Sequence, residues 1–259
     1  MNRKYKIILL LSIMVISWVF IFFSFMYGKV HVLKKYNAET KETTIFEYII
    51  EDGDTILHGE FTRYNKVGKK ITEGNFTNGE ISGENIYYFE TGIIKSIYYY
   101  KRNKIPEENI DNFPSGKIMS YTLYDDLGMS AFIIRFDEKG NVKNHEGYPL
   151  LEIYQSKIAN KEKFKTKTNQ YLKVGDTLKQ QYLIAYIPNA KRSVHIENID
   201  ADDAKAKGTL KKTSQTRIDV EEILINKGIN RIRAVVKYEF NDKEKTVIND
   251  MIFFEVKVN

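Results

Sequence analysis

Hydrophobic patterning divides this chain into distinct regimes. Ile7 to Tyr27 runs 21 residues without a charge. Residues 28–44 are polar and lack a period. From Ile45 onward, short apolar runs alternate with polar ones at the two-residue spacing of a strand with one packed and one wet face. Ile45–Ile50 reads as the first such strand, and Asp52-Gly53 supplies a hairpin turn before Thr55-Ile56-Leu57. Gly68, Gly92, Gly116 and Gly140 then fall at 24-residue intervals. Each comes a few residues after an aromatic (Tyr64, Tyr88, Phe113, Phe136), and each precedes a short basic or apolar stretch. A turn that needs φ > 0 explains the recurring glycine, so one hairpin unit is expected four times over. A second series, Gly59 and Gly83, continues through Glu107 and Ala131 without glycine, and the rhythm is eroded between Glu107 and Asn112. From Tyr148 the rhythm stops. About seven short strand-like runs over roughly 110 residues, with turns between them, predict a β-sandwich.

The apolar run at the N-terminus predicts a membrane-spanning helix. At about 1.5 Å per residue it would span roughly 31 Å, against a hydrocarbon core of about 30 Å. Trp18 lies inside it, and Tyr5 and Tyr27 mark its two ends. The run is longer than the apolar stretch of an ordinary signal peptide, and no A-x-A-like cleavage site follows, so an uncleaved anchor is expected. Arg3, Lys4 and Lys6 would keep residues 1–6 in the cytoplasm. The expected order is therefore a cytoplasmic tail (1–6), a transmembrane anchor (7–27), a stalk (28–44), a repeat domain (45–147) and a sandwich domain (148–259). The protein would be single-pass in a bacterial inner membrane, with its body outside the cytoplasm. The fold class expected is mainly β: a transmembrane helix, a repetitive antiparallel hairpin array and a C-terminal sandwich.

The phrase HGEFTRYNKVGKKITEGNFTNGEISGENIYYFETG resembles the bacterial variant of the MORN repeat, whose units carry G-x-[FY]-x-x-[FY] and a turn glycine. The resemblance covers His58 to Gly147 and is best through Lys101. It implies β-hairpins of about this length and, in one branch of the family, an antitoxin-like protein. The text GINRIRAVVKYEF, a polar turn, then MIFFEVKV resembles the last two strands of immunoglobulin-like domains of bacterial envelope proteins. That likeness concerns fold alone.

Charge removes one class of partner. The net charge is +6, but residues 1–35 hold six basic side chains and no acid. The remaining chain balances 34 basic against 34 acidic residues, a body with no field to gather nucleic acid. With no cysteine, disulfides, thiolate metal sites and a catalytic thiol are excluded. His31, His58, His145 and His195 are scattered, and no HExxH, GxSxG or phosphate-binding glycine loop occurs. Asp200, Asp202 and Asp203 lack the glycine and terminal glutamate of a calcium loop. Lys161, Lys163, Lys165 and Lys167 would share one side of an extended, solvated connection. No catalytic residue, metal ligand or cofactor is therefore expected.

The candidate binding residues are Tyr64, Tyr88, Tyr98 and Tyr100, whose rings could stack on a sugar or a peptide side chain if they do not simply cover the sheet. The function expected is a non-enzymatic, membrane-anchored binding or scaffold module with an envelope protein or glycan as partner. An antitoxin-like protein and an envelope hydrolase are the alternatives.

Overall fold

The structure is a computed structural model that describes residues 5, 12–18, 29–101, 104–157, 172–200 and 208–259. It is mainly β. Ten antiparallel strands follow one another in sequence order in one sheet: β1 (His31–Asn37), β2 (Glu42–Glu51), β3 (Asp54–Tyr64), β4 (Lys70–Thr77), β5 (Glu80–Tyr88), β6 (Ile94–Tyr100), β7 (Pro106–Asn112), β8 (Ile118–Tyr124), β9 (Ser130–Phe136) and β10 (Val142–Gly147). Seven more strands form two smaller sheets. One has the order β11 (Leu150–Lys157), β12 (Thr177–Ile184), β15 (Arg217–Ile223), β14 (Gly208–Lys212). The other has the order β13 (Ala190–Asn198), β16 (Gly228–Phe240), β17 (Val247–Val258).

The expected transmembrane helix is corrected. Of the apolar run 7–27, residues 12–18 are described; they are helical, and the Ser17 hydroxyl donates to the Met14 carbonyl at 2.9 Å. Among the described residues no helix is long and apolar enough to cross a membrane. The remainder of the run lies outside the described residues, as do Lys161, Lys163, Lys165, Lys167, Asp202 and Asp203. Residues 31–37, read as part of a stalk, form β1, paired antiparallel with β2 from His31–Tyr48 to Asn37–Glu42.

The chain divides into two compact units, residues 1–92 with 100–104, and residues 93–99 with 105–259. In the first unit, two-residue turns at Asp52-Gly53 and Asn78-Gly79 have φ > 0 at both positions, the geometry that matches strand twist in a hairpin. Phe61 is its one buried apolar side chain among the described residues and lies 4.9 Å from the Phe76 ring. Gly74, opposite Phe61, has no room for a side chain, since a Cβ there would strike the Asn85 amide and the Phe61 ring.

In the second unit, five-residue turns connect the strands. Phe113, Asp125 and Asp137 each close theirs with paired backbone hydrogen bonds, and Gly116, Gly128 and Gly140 take φ of 83, 79 and 88°. Past each turn a bulge adds one residue to the strand that follows, which increases local twist. Tyr121, Leu123, Phe132, Ile134 and Phe136 of β8 and β9 are buried in one apolar cluster with Tyr182, Ile184, Val236, Tyr238 and Phe240. A smaller cluster holds Leu172, Leu178, Leu224, Ile232, Val256 and Val258.

Candidate functional site

Tyr64 and Tyr88 end their strands β3 and β5, and both are half-buried. Lys70 pairs with Tyr64 across β3 and β4, and its ammonium lies 5.8 Å from the Tyr88 ring centre. Glu73 accepts from that ammonium at 2.6 Å and from the Tyr88 hydroxyl. The lysine bond, followed by the tyrosine bond, holds the Glu73 carboxyl below the usual range. Burial, reinforced by Glu73, pushes the Tyr88 hydroxyl up to about 12. The structure thus ties Tyr88 into a polar cluster with Glu73 and Lys70, and sets Tyr64 opposite Lys70 in the strand register. Tyr98 and Tyr100 are half-buried on β6 and share by alternation the face of Ser96, whose hydroxyl donates to Asp111 at 2.6 Å.

Gly68, Gly92, Gly116 and Gly140 all sit in turns with φ between 80 and 88°. Sequence reading missed Gly128, which has the same conformation. The signal was present: Asp125-x-x-Gly128 repeats Asp137-x-x-Gly140 twelve residues earlier.

Two further features went unnoticed in the sequence. One is β1, which among the described residues pairs with β2 alone. It exposes Val32, Leu33 and Tyr36 at 66, 44 and 62%, and Lys34 and Lys35 sit between them. The other is a polar joint inside the second unit. The Tyr121 hydroxyl donates to Glu108 at 2.6 Å and accepts the Tyr186 amide at 2.8 Å. Tyr238 donates to the Ala185 carbonyl at 2.7 Å, and Arg192 reaches the Ile184 and Ala185 carbonyls. Burial pushes Glu108 up to about 7, although Tyr121 opposes the shift. Beside it, buried Arg217 pairs with Glu107 at 3.2 Å and Asp126 at 2.6 Å and donates to Gln181. Where the rhythm of the repeats erodes, β7 carries Glu107 and Glu108, which bond to Arg217 and Tyr121.

Two clefts open on the second unit. One, of about 400 Å³, lies between the turns at Gly116 and Gly140 and the Asn241-Asp242 loop, with Phe136 and Phe240 beneath. Asp242 is fully engaged there by Thr246 and the Val142 amide. The other, of about 480 Å³, lies between β13 and β14. The histidines do not converge. His58 meets Asn78 at 3.2 Å, His195 meets Glu197 at 2.9 Å, His31 stacks on Tyr48, and His145 lies beside Phe132. Among the described residues no three histidine or acidic side chains gather as a metal site. In comparison with known proteins, the chain matches no protein family and no curated protein sequence.

Proposed function

We propose that this protein is a non-enzymatic binding module whose edge strand β1 takes on an extended segment of a protein partner. The observation that supports this most is the combination of a strand paired on one side with exposed Val32, Leu33 and Tyr36. Backbone N–H and C=O groups along such an edge are a template for an added strand, and alternate side chains provide specificity. Lys34 and Lys35 select among partners. A second copy of β1 pairing antiparallel would set lysines near lysines, whereas a strand carrying Asp or Glu at those positions would gain opposite-charge pairs. The reading of the hairpins as MORN-like belongs to the same proposal and is supported by the 24-residue spacing of the left-handed turn glycines.

The test is a photo-crosslinking residue at position 36 in cells, followed by hydrogen exchange on the purified pair. Protection of alternate β1 amides, lost in a Val32→Lys/Leu33→Lys variant that still folds, is the expected result. A partner that leaves β1 exchange unchanged would overturn the reading.

A further inference from the structure

A polar layer separates the two apolar clusters of the second unit. On β12, Gln180 separates Leu178 from Tyr182; on β15, Glu222 separates Val220 from Leu224. The apolar residues on either side belong to different clusters. Asn198 of β13 bridges the layer, donating to Glu222 at 2.8 Å and to the Asn230 side-chain oxygen at 3.1 Å.

The layer opens to solvent because the two sheets are unequal. β14 is the outermost strand of the four-stranded sheet and is exposed throughout, and the facing sheet has three strands and ends at β13. Between β13 and β14 lies the cavity of about 480 Å³, with Asn198 and Glu222 in its lining and Ile196, Val220 and Leu210 as aliphatic walls. Leu210, paired with Val220, remains 55% exposed at the mouth.

The charge balance of this layer is incomplete among the described residues. Gln180 is 2% exposed and interacts with the Glu152 carboxyl on β11; the Tyr182 hydroxyl has no hydrogen-bond partner among the described residues. Glu222 is buried, and no lysine or arginine pairs with it among the described residues. Burial raises its pKa, and the Asn198 amide alone acts against that. A buried carboxyl without a counter-ion costs free energy, as does each buried polar atom without a partner.

We propose that this cavity binds a primary ammonium group on a short aliphatic stem, with Glu222 as its counter-ion and the aliphatic walls holding the stem. The three N–H donors of an ammonium match the acceptors that line the cavity, the two oxygens of the Glu222 carboxylate and the Asn198 side-chain oxygen. An alcohol of the same length fills the walls equally well and brings no charge, so the pair isolates the role of Glu222.

The test is calorimetric titration of the full chain with n-butylamine, with 1-butanol, and with the blocked tripeptide acetyl-Gly-Lys-Gly-amide. Saturable binding of butylamine, absent for butanol and weakened about tenfold or more in Glu222→Gln, is the expected result. A preference for the tripeptide assigns the ammonium to a lysine of a partner chain; a preference for butylamine assigns it to a free amine. Leu210→Trp, at an exposed strand position that leaves the core intact, should block the mouth and abolish binding even if Glu222→Gln unfolds. Equal binding of butanol, no binding by about 20 mM butylamine, or unchanged binding in Leu210→Trp would overturn the proposal.

Discussion

Asp125 and Asp137 each bind two backbone amides of their own turn with one carboxylate oxygen at 2.9 Å, and Asn65 does the same in the first unit. This side-chain mimicry of a backbone turn leaves a left-handed position three residues later, where glycine is least strained. Asp137→Ala should lower stability by about 1 kcal/mol, and Gly128→Ala by about 1–2 kcal/mol, both read as lower denaturant midpoints. Two buried tyrosines should respond oppositely. Tyr121→Phe strips Glu108 and the Tyr186 amide of their partner and should cost about 1–3 kcal/mol, whereas Tyr182→Phe removes a hydroxyl that has none and should be neutral or stabilising. Glu108 adds a pH dependence. Its carboxyl is raised from 4.5 to about 7 in the fold, so the folded state holds a proton that the unfolded chain gives up. Stability is therefore greatest below about pH 4.5 as far as this group is concerned, and it falls as pH rises towards 7, by at most about 3 kcal/mol. Glu108→Gln should flatten that slope in urea melts taken from pH 4.5 to 8.

At the scale of elements, hairpins were the most legible feature because a turn announces itself locally. Asp52-Gly53 and the spaced glycines need only their own neighbours to be understood. Strands without such cues were missed. β1 (HVLKKYN) has no alternation, and β14 (GTLKK) is exposed throughout; pairing with a neighbour makes each a strand. Read in the sequence as erosion of a repeat, β7 becomes, through Glu107, the anchor of a 110-residue contact to Arg217. That contact joins β7 and the β8–β9 turn to β15. Arg217→Ala would leave Glu107 without its cation in a largely dry site and should cost about 3–5 kcal/mol; Arg217→Lys should recover only part of this, because one ammonium cannot fork to Glu107, Asp126 and Gln181 together. Thermal unfolding of the two variants side by side is the check.

Across the whole molecule, apolar burial is uneven. Phe61 alone represents the first unit among the buried apolar side chains described, and every other one belongs to the second. Since apolar burial is the main favourable term in folding, the first unit should open first: amides of β2 to β4 should exchange faster than those of β12 and β16, and urea should melt them at lower concentration. A single coincident transition for both sets would show the two units to unfold as one cooperative body.

By itself the sequence determined the β class, the turn positions and a body of balanced charge, since each depends on local spacing, glycine conformation or counting. Tertiary structure alone decided the rest. The apolar run at the N-terminus met the length rule for a spanning helix, yet among the described residues no helix is long and apolar enough to cross a membrane. Tyr88, one of the tyrosines that looked like a binding face, bonds to Glu73 and lies near the Lys70 ammonium. Glu108, Gln180, Arg217 and Glu222 look like ordinary surface residues in the text; burial is set by strands far away along the chain. A polar side chain acquires its chemistry from the partners that folding brings to it or withholds, and those partners here stand tens to more than a hundred residues distant.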